Sequence, residues 1–106
     1  MICHRHRAVS ILLGYDPALL DFVFAATRTK LRRSPQTLGR ESVLIGLQEH
    51  MQVKIALDFW DGGRRTCLTD IPRHLDSNRY DCFVAAMAYY VAAHAGVCRC
   101  NSCRNR

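Results

Sequence analysis

The string RESVLIGLQEHMQVKIALDFWD, residues 40–61, admits two readings, and the fold class turns on the choice between them. Leu44, Leu47, Met51, Ile55 and Phe59 recur at spacings of three and four, which draws one face of a helix, and Val53, Leu57 and Trp60 widen it. Val53, Ile55, Leu57 and Phe59 also alternate, so a strand turning at Asp61-Gly62-Gly63 and returning through Arg64–Thr69 would make a hairpin over 53–69. The helical pattern extends upstream to Val43, which favours a helix over about 40–61. The hairpin, in an α+β fold, is the alternative.

Two further helices flank this one. Asp16 is a good N-cap and Pro17 suits the first helical position, where its missing amide has no partner to lose. Leu20, Val23, Phe24, Thr27 and Leu31 follow at helical spacing towards Arg32-Arg33, predicting a helix over about 16–33. Asp76 or Ser77 caps a third helix over about 78–95, with Gly96 placed to end it. Residues 1–15 read as a short lead-in, and residues 62–76 as a connector with a helical turn at Asp70-Ile71-Pro72. The expected fold is mainly α, a single domain over 1–106 built as a bundle of three to four helices, with basic Cys/His-containing termini at 1–7 and 98–106.

The last helix has the most unusual composition. Phe83, Met87, Tyr90, His94 and Val97 draw a Met and aromatic stripe, and Ala85, Ala88, Ala92 and Ala95 draw a second stripe of small side chains. A helix apolar on nearly all sides must be buried nearly all round. A chain of 106 residues with about three helices covers such a helix only with difficulty, so a second chain is expected to close part of it, as in a homodimer. Its uncharged run, Cys82 to Cys98, lies at the lower length limit for a membrane span and carries many alanines; no membrane association is expected.

With 49% apolar and 23% charged residues the chain has the balance of a folded domain, and its formal charge is +6. The excess is local: residues 1–7 carry +2, residues 28–40 carry +5 and residues 98–106 carry +3. Arg28, Lys30, Arg32, Arg33 and Arg40 are therefore the candidate phosphate contacts if the chain binds nucleic acid. The competing reading is a basic helix end together with solubilising tails.

Of six cysteines, Cys98, Cys100 and Cys103 fall within six residues, and Cys3, His4 and His6 within four. Three ligands from the tail and one from the head would complete one structural zinc. No export signal is visible, which points to a cytoplasmic chain with thiols or metal ligands in place of disulfides. Cys67 and Cys82 stand outside any nucleophile motif. The string contains no phosphate loop, Gly-x-Ser-x-Gly elbow or zincin motif, so an enzyme is not expected.

Apolar helical surface in excess, without a catalytic motif, predicts a small regulatory protein that binds another protein. An antiactivator or inhibitor of a transcription regulator is the expected type. Leu44, Leu47, Met51, Phe59, Trp60, Met87 and Tyr90 are the expected anchors. A zinc-stabilised basic nucleic-acid-binding protein is the alternative.

Overall fold

The computed structural model describes residues 4–25 and 30–94, with backbone alone at 93 and 94. Among the described residues there are six α-helices and no strand. They are α1 His4–Leu12, α2 Pro17–Val23, α3 Pro35–Glu41, α4 Leu47–Asp61, α5 Asp70–His74 and α6 Ser77–His94, with a single 3-10 turn at Ser42–Leu44 between α3 and α4. The mainly helical bundle expected from the string is the fold observed. The hairpin over 53–69 does not form.

The alternation that suggested a strand has a different cause. Met51, Gln52, Val53, Ile55, Ala56, Leu57 and Phe59 are all buried, because α4 is covered on several sides by α1, α3 and α5. A helix enclosed in this way carries apolar residues on more than one face, so an alternating subset can be picked from them. It ends at Gly62, whose φ of 72° is the left-handed conformation that lets its amide return to the Asp58 carbonyl at 2.9 Å.

The helix expected over 16–33 is shorter. Asp16 caps it, accepting from the Ala18 amide at 2.9 Å, but α2 stops at Val23 and Phe24 is extended. Phe24 pairs with Leu31 in an isolated antiparallel bridge, and the Arg32 amide donates to the Val23 carbonyl at 2.9 Å. Residues 30–32 thus lie antiparallel to residues 23–25, with Val23 and Phe24 buried and Leu31 half-buried; residues 26–29 of the expected helix lie outside the described residues.

The segment expected as one helix over 40–61 is divided. Ser34 caps α3, accepting from the Thr37 amide at 3.2 Å, and Pro35 opens it. The chain then tightens through Ser42–Leu44 and restarts at Leu47 after Gly46.

The lead-in at 1–15 is itself a helix, and α1 packs mainly on α6 and α4. Of its buried residues, Arg5, Ala8, Val9 and Leu12 lie at spacings of three, one and three, one face of a helix, and Ser10, also buried, donates to the His6 carbonyl at 2.9 Å. The charge on Arg5 obscured that face. Arg5 is not part of a solubilising tail: it is 4% exposed, its guanidinium sits 4.9 Å from the Trp60 ring centroid, and it donates to the Trp60 carbonyl. Charge at this position is tolerated because a carbonyl and an aromatic face receive it.

Helix α6 begins one residue before the expected start and is described to His94; Ala95 and Gly96, expected to end it, lie outside the described residues. Asp76 serves as its cap, its carboxylate accepting from the Arg79 amide at 2.8 Å. No helix among the described residues is long and apolar enough to cross a membrane.

Candidate protein-docking surface

Two features meet on one side of the molecule. The first is a cavity of about 350 Å³ between the C-terminal half of α4, α5 and α6, with Ile55, Phe59, Ile71, Phe83, Met87 and Tyr90 on its walls. Its fourth side is the loop after α4, which Asp58 holds down. One Asp58 oxygen accepts from the Arg65 amide and guanidinium, each at 3.1 Å, and the other accepts from the Thr66 amide at 3.0 Å. Arg65 also makes a two-point pair with Asp61, at 2.8 and 2.6 Å, and these acidic neighbours raise its pKa further above the ordinary arginine value. The loop so fixed carries Leu68, which is 79% exposed at the rim of the cavity.

The second feature is the outer face of α6. Tyr80, Val84, Met87 and Val91 all stand exposed, at spacings of four, three and four, with Val91 at 65%. Ala85, Ala88 and Ala92 beside them are exposed as well. Among the described side chains of this helix only Ala86 is fully buried. Helix α6 is therefore covered on one side only, and the alanine stripe faces outward, away from the bundle's own interior. Met87 belongs both to this face and to the cavity, so the two features are continuous.

The expected anchors separate into three groups. Leu44, at 88%, and Leu47 are exposed, together with Val43 and Ile45, at the turn between α3 and α4. Met87 and half-buried Tyr90 line the cavity, with Phe59 beneath them at 8% exposure, its ring 5.2 Å from that of Tyr90. Met51 is a correction: it is buried in the core, and no partner reaches it. Trp60 is half-buried, edge-on to Phe24 at 5.4 Å and under Arg5, so its role in this structure is packing. The sequence reading missed Leu68, Val84 and Val91. The signal for Val84 and Val91 was the absence of charge at 83–94 combined with too few helices to cover it; Leu68 carried none.

Lys30, Arg32, Arg33 and Arg40 are all exposed. Arg32 donates from Nε to the Asp21 carbonyl at 2.6 Å and Arg33 pairs with Glu41, both at the surface; Arg28 lies outside the described residues. Of the zinc candidates, Cys3, Cys98, Cys100 and Cys103 also lie outside them. The His4 ring is 5.7 Å from the Tyr90 ring and the His6 ring is 4.5 Å from Phe24. Among the described residues no three His, Cys, Asp or Glu side chains gather as a metal would need.

One hydroxyl–imidazole pair invites a catalytic reading. Ser42 Oγ lies 2.7 Å from His50 Nδ1 and donates to the Gly39 carbonyl at 2.8 Å. Ser42 is wholly buried, which closes its hydroxyl to any substrate and makes it a fastener between α3 and α4. Burial lowers the pKa of His50, and the nearby Lys54 charge lowers it further. Cys82 is half-buried and close to Gly14, where a Cβ would lie 3.6 Å from its Sγ, and Cys67 is exposed. Comparison of the chain with protein-family models, with curated proteins and with solved structures finds no match.

Proposed function

We propose that this chain is a small regulatory protein, without a chemical step of its own, that acts by occupying the surface of another protein. The observation that supports this reading is the mainly apolar surface running from Leu68 over the cavity, whose wall includes Asp58, to Met87 and along α6 to Val91. In a chain with a formal charge of +6, so much connected apolar side chain facing outward is a binding surface before it is anything else. The cavity receives an apolar anchor side chain of the partner, and the α6 face and Leu68 exclude water around it. Small size and the lack of a catalytic motif favour a transcription regulator as the partner class, held inactive by the contact.

The test is capture from native lysate under reducing conditions, with and without nuclease, using the full chain and its Leu68→Asp and Met87→Asp variants. A protein partner that survives nuclease and is lost with both variants is the expected result. Partners that vanish with nuclease, or that remain bound to both variants, would overturn the proposal.

A further inference from the structure

We infer that the outer face of α6 pairs with the same face of a second copy of this chain, the two helices running antiparallel; this rests on the docking reading above and names one occupant of that surface. Tyr80, Val84, Met87 and Val91 repeat as the two apolar positions of a heptad do, the pattern that packs one helix against another along a seam. Their spacing of four, three and four reads the same in either direction. In an antiparallel pair the seam therefore meets itself in register, Tyr80 against the second copy's Val91 and Val84 against its Met87. Ala85, Ala88 and Ala92 run along the flank, where their small side chains let the backbones approach.

Charge fixes the direction. Asp81 is the one ionisable side chain on the exposed face between Tyr80 and Val91. In a parallel pair the two Asp81 carboxylates and the two helix N-termini would stand side by side. In the antiparallel pair the carboxylates are separated along the axis by about 14 Å and opposite helix ends lie together. Area sets the strength. A standard interface removes about 800 Å² per partner, and one face of an 18-residue helix supplies less. The pair is consequently expected to be reversible in the micromolar range, with part of the cavity left beside it for a different protein.

The experiment is sedimentation equilibrium of the full chain in reducing buffer over roughly three decades of concentration around the micromolar range. It is joined to photo-crosslinking between light and heavy-nitrogen copies carrying p-benzoylphenylalanine in place of Tyr80. Expected are a monomer–dimer equilibrium, a crosslink from position 80 to the Val91 region of the other copy, and a dissociation constant raised about tenfold or more by Val84→Asp. Val91→Asp, further along the helix, must act likewise, and Gln36→Asp, exposed on α3, must leave the equilibrium unchanged. A chain monomeric throughout the series overturns the inference, as does a crosslink joining position 80 to position 80. If the monomeric chain still captures a partner that Leu68→Asp loses, the docking reading stands and self-pairing alone has failed. If neither self-pairing nor capture responds to any of these variants, both have failed.

Discussion

Arg79 on α6 donates from Nε to Gln52 Oε1 on α4 at 3.0 Å, and the same Gln52 donates from its amide nitrogen to the Leu12 carbonyl at the end of α1, at 3.3 Å. One side chain, 2% exposed, thus ties three helices together at one end of the bundle. Arg79 extends the tie to Gln48 at 3.1 Å, Glu49 at 3.1 Å and Asp76 at 2.7 Å. This cluster fastens the first turns of α6 to α4 and to the end of α1.

Replacing Gln52 with leucine keeps the volume and removes both bonds. A buried acceptor left without a donor costs about 1–3 kcal/mol, so Gln52→Leu is expected to lower unfolding stability by that order. Urea denaturation followed by circular dichroism measures it, and an unchanged midpoint would show the tie to be incidental.

His50 gives the chain a pH dependence with a definite sign. Its pKa is lowered on folding from the ordinary 6.5, so between the folded and unfolded values the unfolded chain binds the extra proton. Stability is therefore at its full value above about pH 6.5 and is lost as pH falls through the lowered folded pKa. Melting temperatures recorded from pH 8 down to pH 5 should decline below neutrality. His50→Gln, which can still hydrogen-bond Ser42, should flatten that decline; an equally steep curve in the variant would place the dependence elsewhere.

Ser42 and His50 also act as a pair. Ser42→Ala leaves the Gly39 carbonyl and the His50 ring without this hydroxyl, and a loss of about 1 kcal/mol is expected. In a double-mutant cycle with His50→Ala the two losses should sum to more than the double variant shows, with a coupling of at least about 0.5 kcal/mol. Strict additivity would mean that the 2.7 Å contact contributes nothing of its own.

How far these features could be read from the string depends on whether neighbouring residues or distant ones decide them. Helix α6, the cap at Asp16 and the end of α4 at Gly62 were legible because caps and spacing act within a few residues. The fate of α2 was not. Its apolar spacing continues to Leu31, but α2 ends at Val23 and Phe24 pairs with Leu31, seven residues on, in an antiparallel bridge. Helix α1 was hidden for a similar reason. Arg5 reads as surface until Trp60, 55 residues on, supplies a ring and a carbonyl for it. On the docking surface, Met87 was legible from the helical stripe. Leu68 was not, because a single leucine in a polar connector carries no period, and its position depends on Asp58 gripping the loop. Met51 has the spacing of an anchor but is buried, since spacing marks an apolar face without saying what covers it.

Asp58 offers the sharpest test of how the docking surface is held. Its carboxylate takes two backbone amides and a guanidinium, with both oxygens used as acceptors, so an isosteric amide must turn an NH₂ towards one of these donors. The loop carrying Thr66 and Leu68 then loses at least one bond and meets a repulsive contact. Asp58→Asn is expected to cost about 1–2 kcal/mol of stability and to increase amide exchange at 65–68 while α6 keeps its protection. Because Leu68 is positioned by that loop, partner binding through the cavity should weaken while self-pairing along α6 persists. Hydrogen exchange read alongside sedimentation separates these effects. Equal loss of protection in α6 would show that Asp58 supports the bundle as a whole, in which case the groove wall is not an independent unit.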